Sequence, residues 1–127
     1  MPFNTTNFKV ETSDGRNFRL LESVMYCTEV NGVLERIDIP VGTETDGASI
    51  PRIIWNVLPP FGIYWRATVL HDYLYRYTKR SRLECDNILL EAMINLGVDE
   101  VTRNVIYDGV RVGGEPAFNK DRENQAK

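Results

Sequence analysis

The hydrophobic period changes once along this chain, and the change divides it into two kinds of structure. From Phe8 to Val41 apolar and polar residues alternate, the period of a half-buried strand. From Tyr64 to Val110 the apolar residues recur at helical spacing. In the first stretch Phe8, Val10 and Thr12 alternate with Lys9 and Glu11, and Phe18-Arg19-Leu20 resumes the pattern after Asp14-Gly15. Val24 to Val30 and Val33 to Val41 flank Asn31-Gly32, with Ile37, Ile39 and Val41 on one face and Arg36, Asp38 and Pro40 on the other. Asp-Gly and Asn-Gly suit turns that need positive φ, so this half reads as two hairpins or a meander of about four strands. Pro40 places the end of the last strand at an edge or a bulge.

A small, polar loop, Gly42 to Pro51, separates the two halves. Arg52 to Leu58 is expected as a short helix, broken at Pro59-Pro60-Phe61-Gly62. Tyr64 to Thr78 carries Ala67, Leu70, His71, Leu74 and Tyr75 at helical spacing. Ser81 is the expected N-cap of a second helix, Arg82 to Leu96, with Glu84 completing a capping box and Gly97 at the C-terminal end. Asp99 caps a third helix through about Val110. The run Glu115 to Lys127 is polar and reads as a loose or extended tail. These elements predict an α+β fold: an N-terminal antiparallel β-meander or pair of hairpins packed on a C-terminal antiparallel helix hairpin plus a third helix. The expected organisation is one domain over 1–114 and a polar C-terminal tail over 115–127, in keeping with a length of 127 residues.

Composition narrows the function. With 15 Lys+Arg against 18 Asp+Glu and a formal charge of −3, the chain lacks the basic excess of a non-specific nucleic-acid binder, and no nucleic-acid partner is expected. Two cysteines, Cys27 and Cys85, do not make a disulfide scaffold; one bridge is feasible, and free thiols are the simpler reading. No apolar run approaches the roughly 20 residues of a membrane span. The N-terminus lacks the charged start and apolar core of a signal peptide, so synthesis in a cytoplasm is expected.

The chemistry concentrates in Leu70-His71-Asp72-Tyr73-Leu74-Tyr75, which holds the only His of the chain. Adjacent helical residues point about 100° apart, so His71 and Asp72 face neighbouring spaces. Asp86 lies on the edge of the apolar face of the next helix, where a carboxylate needs a donor or a cation. A short connection makes the two helices an antiparallel hairpin and brings His71 and Asp86 to similar heights. An Asp86–His71 hydrogen bond fixes the imidazole tautomer and raises its basicity, which makes His71 a candidate general base for a water. Asp46 and the loop carbonyls around Gly47, together with Asp72, offer oxygen ligands for Ca²⁺; a Zn²⁺ site ranks lower because no Cys–His spacing supports it. Gly47, Ser49, Tyr75 and Arg82 complete the candidate pocket. Each feature also has a structural reading: His71 as a bonded core residue, Asp72 paired with Arg76 at i+4, Asp86 paired with Arg66, Arg76 or Arg82, and Asp46 in an Asx-type turn. Trp55, Pro59, Pro60, Phe61, Tyr64 and Trp65 read as a core plug, or as an apolar lip for a partner.

Three ordered motifs carry a resemblance. Thr45-Asp46-Gly47-Ala48-Ser49-Ile50-Pro51, then His71-Asp72-Tyr73-Leu74-Tyr75-Arg76, then Ser81-Arg82 with Asp86, resemble the phage and bacterial domain of unknown function numbered 1353 over roughly Gly42 to Arg111. That resemblance implies a small protein of tailed phages and prophages, made in the host cytoplasm, with association with the virion as a further destination. A more distant resemblance, to the His-Asp helix hairpin of phospholipase A-two, implies His71 as base, Asp72 as Ca²⁺ ligand, Asp86 as the group orienting the His, and the Asp46–Ser49 loop in place of the calcium loop. The many disulfides and the glycine-rich loop of that family are not present. The expected function is a phage-associated hydrolase-like domain, metal-assisted, acting on an ester or amide of the host envelope. The alternative is a non-catalytic virion or tail accessory protein, bound to phage structural proteins, in which the same residues form a structural polar network. A small inhibitor of a host enzyme is a third reading.

Overall fold

A computed structural model describes residues 2–4, 8–47, 49–58 and 62–126. The chain forms two compact units, Met1–Asp46 and Gly47–Lys127. Antiparallel strands make up the first and helices the second, so the fold is α+β.

In the strand unit, β1 (Val10–Glu11) and β2 (Phe18–Leu20) pair antiparallel with Val10 opposite Leu20. β3 (Val24–Val30) and β4 (Val33–Ile39) form a hairpin with Val24 opposite Ile39 and Val30 opposite Val33. Asn31 and Gly32 both take positive φ, 51° and 80°, as a two-residue turn between right-twisted strands requires. Val24, Tyr26, Ile37 and Ile39 are buried and meet as the cross-strand pairs Val24–Ile39 and Tyr26–Ile37. Phe3 adds its ring against Tyr26, centroids 4.5 Å apart.

The strands do not form one meander. A fifth strand, β5 (Glu44–Thr45), pairs with β2, giving a three-stranded sheet β1-β2-β5 beside the separate two-stranded sheet β3-β4. The cause is the turn at Pro40–Thr43. Thr43 N–H donates back to the Pro40 carbonyl, while Gly42 N–H donates to the Leu20 carbonyl and Leu20 N–H to the Thr43 carbonyl, which leads β5 onto β2. Val41 falls in this turn and is exposed, so the buried alternation of Ile37 and Ile39 ends at Ile39.

The helical unit contains α1 (Arg52–Val57), α2 (Trp65–Tyr77), α3 (Arg82–Asn95), α4 (Glu100–Gly113) and α5 (Glu115–Gln125). The expected caps are in place: Ser81 accepts from Glu84 N–H, and Asp99 accepts from Thr102 N–H. Gly97, at φ 80°, ends α3. Ala67, Leu70 and Leu74 of α2, Leu89 and Met93 of α3, and Ile106 and Val110 of α4 are buried. α1 reaches α4 at Gly109, where a Cβ would run into Ile54. The Pro59-Pro60-Phe61 break lies outside the described residues; of its flanking aromatics, Trp55 and Tyr64 stack with centroids 6.3 Å apart.

The C-terminal run is helical rather than loose. α5 buries no apolar residue, which is why hydrophobic spacing does not reveal it. Polar side chains hold it to the end of α2. Arg122 donates to the carbonyls of Tyr75 (3.0 Å) and Leu74 (3.2 Å), and Gln125 donates to those of Arg76 (2.7 Å) and Thr78 (3.0 Å). The first three are carbonyls of the last turn of α2, which have no backbone partner within the helix, and Thr78 is the residue that follows it. No helix of the described residues is long and apolar enough to cross a membrane.

Candidate functional site

Three helices and the loop before α1 converge on the imidazole of His71. α2 supplies His71 and, one turn on, Tyr75; α3 supplies Asp86; the end of α4 supplies Arg111; the loop supplies Ser49. His71 Nε2 is 2.7 Å from Asp86 Oδ1, and His71 Nδ1 is 3.0 Å from Ser49 Oγ. Tyr75 donates its hydroxyl to the same Asp86 oxygen at 2.6 Å, and Arg111 donates to Asp86 Oδ2 at 2.6 Å. His71 and Asp86 are 0% exposed and Ser49 1%.

The roles of the two ring nitrogens follow from Asp86. Burial pushes its carboxyl up, but the hydrogen bonds from His71, Tyr75 and Arg111 outweigh burial and hold its pKa below the ordinary 3.8. An ionised carboxylate only accepts, so Nε2 carries hydrogen toward it. With one proton on the ring, Nδ1 is the acceptor and Ser49 Oγ–H the donor. Tyr75 stays protonated: burial, and then the neighbouring carboxylate, raise its pKa.

Local structure explains why these groups meet. Ile50 N–H donates to the Gly47 carbonyl at 3.1 Å, which closes a turn with Ser49 at one of its two corners. Gly47 sits at φ 72°, a conformation that favours glycine, and the Trp55 Nε1–H donates to the Gly47 carbonyl at 3.4 Å. At the other end, Arg82 donates to the carbonyls of Val110 (3.1 Å) and Arg111 (3.3 Å). It thereby closes the C-terminus of α4 while standing 3.6 Å from Asp86. Gly114 is required here, because a Cβ would lie 2.5 Å from the Val110 carbonyl and 3.1 Å from Tyr75 Oη.

His71, Asp86, Ser49, Tyr75 and Arg82 thus come together, with Gly47 in the turn that carries Ser49. Asp72 is buried one step round α2, its Oδ2 3.6 Å from Arg76 Nε. Asp46 belongs to the strand unit. Among the described residues, no three His, Cys, Asp or Glu side chains cluster as cation ligands. Arg111 is the partner that reading the sequence missed. Its one signal is its place as the basic residue of the last turn of α4. Cys27 and Cys85 are free thiols, and burial pushes the Cys85 thiol up to about 12.

The family model described as "Protein of unknown function (DUF1353)" matches residues 18–110. The chain belongs to this family. The DUF1353 match runs from the start of β2 to Val110 within α4 and so includes Ser49, His71 and Asp86, while Arg111, in the last turn of α4, and α5 follow it. The chain is also similar to uncharacterized protein y4jT of Sinorhizobium fredii (strain NBRC 101917 / NGR234), 44% identical over 108 residues. That alignment covers 84% of this chain and 26% of the relative, so the chain spans about a quarter of the relative's length. No solved structure matches.

Proposed function

We propose that this DUF1353 chain is a small phage-associated hydrolase-like domain that cleaves an ester or amide, with the host envelope as the source of substrate. The observation that carries the reading is the continuous line Ser49 Oγ–His71–Asp86, at 3.0 and 2.7 Å. Asp86 orients the ring and stabilises positive charge on it; His71 Nδ1 takes a proton from the attacking oxygen. Tyr75 and Arg111 hold the Asp86 carboxylate in place. A buried ionic network adds little stability over apolar packing, so its presence at the centre of three helices calls for a role beyond packing.

Catalysis is tested by the release of nitrophenol from short-chain nitrophenyl esters, beside His71→Gln. Turnover that falls about 10²–10⁴-fold in the variant supports the reading. Absence of turnover in wild type across esters, amides and phospholipid vesicles, with or without Ca²⁺, refutes it.

The burial of His71 and Asp86, both 0% exposed, favours a second reading. In it the line is a polar lock of a non-catalytic virion or tail accessory protein. His71→Gln then lowers stability alone, and mass spectrometry of purified particles finds the protein.

A further inference from the structure

We infer that Ser49 is a covalent nucleophile, the acyl acceptor of the hydrolase-like site proposed above and dependent on that reading. Four observations point to the serine hydroxyl as the group His71 activates. Ser49 Oγ stands 3.0 Å from Nδ1, the ring nitrogen opposite Asp86, which in the singly protonated ring carries the in-plane lone pair. Asp86 occupies the other nitrogen and is held there by Tyr75 and Arg111, so the ring cannot turn without breaking a charge-assisted bond. Ser49 sits at the corner of a turn pinned by Gly47 and Trp55, which fixes its position independently of His71. Among the described residues it also ends the line, with neither carboxylate nor arginine bonded to it. A nucleophile within reach of a base that is itself oriented by a third group is the arrangement acyl transfer requires, and it is recognised by geometry rather than by sequence order.

The reaction balances with water as co-reactant. Ser49 Oγ bonds to the carbonyl carbon while its proton passes to His71 Nδ1, and the carbonyl π pair moves to oxygen. Collapse of that intermediate breaks the bond to the alcohol or amine, which leaves with the proton from Nδ1. Water then attacks the acyl-serine, giving its proton to Nδ1. Oγ departs and regains that proton, and the acid is released. Because Ser49 is 1% exposed, the reagent chosen to test this is small.

The full chain is treated with phenylmethanesulfonyl fluoride and mapped by mass spectrometry. A single adduct on Ser49 is expected, absent in Ser49→Ala and at least a hundredfold slower in His71→Gln. Ester hydrolysis should fall by the same order in Ser49→Ala, and Ser49→Cys should accumulate an acyl-thioester visible by intact mass. Unfolding midpoints of the variants separate loss of chemistry from loss of fold. An adduct that depends on His71, together with hydrolysis that is lost in Ser49→Ala, supports the inference. Hydrolysis that persists in Ser49→Ala but is lost in His71→Gln overturns it and leaves His71 as base for a water. Hydrolysis lost in Ser49→Ala with no adduct in wild type also overturns it. No adduct and no turnover in wild type overturns both this inference and the hydrolase-like reading.

Discussion

Asp86, on α3, accepts from His71 and Tyr75 of α2 and from Arg111 of α4, so its charge is distributed over three donors from two helices. That arrangement sets a pH dependence. The folded pKa lies below the ordinary carboxylate value, so this contribution to stability is present above the unfolded pKa and is lost as pH falls through the folded one. The free energy of unfolding should therefore decline as pH drops below about 4, and the decline should be shallower in Asp86→Asn. Denaturant titrations of both proteins across the acid range check this. A residual slope is expected in the variant. Asp14, stabilised by the backbone N–H groups of Asn17 and Arg16, and Asp99, stabilised by Thr102, are also lowered and titrate in the same direction. His71 and Asp86 were legible as a pair because each is anomalous on an apolar face. Ser49 was legible only as part of a small-residue loop, since its contact with His71 spans 22 positions.

Helix ends carry much of the organisation of the helical unit. Ser81 and Asp99 are local signals: a short polar side chain beside the first N–H groups of its own helix. α5 is the opposite case, since its anchor is four carbonyls about 47 to 50 positions upstream. Arg122→Ala should cost about 1–3 kcal/mol in chemical unfolding, because it removes the two charged hydrogen bonds to the Leu74 and Tyr75 carbonyls and leaves them only Thr78 Oγ and Gln125 Nε2 as side-chain donors. Amides in the last turn of α2 should then exchange faster. The α1–α4 contact gives a second test. Gly109→Ala should destabilise by about 1–3 kcal/mol through overpacking against Ile54, and Ile54→Val in the same chain should restore part of that loss. A double-mutant cycle measures the coupling, and strict additivity would contradict the contact.

At the scale of the whole molecule the chain divides at Asp46–Gly47, the loop where the hydrophobic period changes. Ser49, His71, Tyr75, Asp86 and Arg111 all lie on the helical side of that division. A chain beginning at Gly47 should therefore keep a helical far-ultraviolet spectrum and a cooperative unfolding transition, and a non-cooperative melt would show that the helical unit cannot stand alone. Period, caps and turn dipeptides are local properties, and they sufficed for the α+β class, the β3–β4 hairpin with its Asn31-Gly32 turn, and the starts of α3 and α4. Pairings between distant elements have no local signature. The diversion of β5 onto β2, the docking of α5 on α2, the approach of Arg111 to Asp86 and the seating of Ser49 on Nδ1 each depend on which buried carbonyl, carboxylate or ring nitrogen the folded chain leaves needing a partner, and that is settled only when the helices and strands pack.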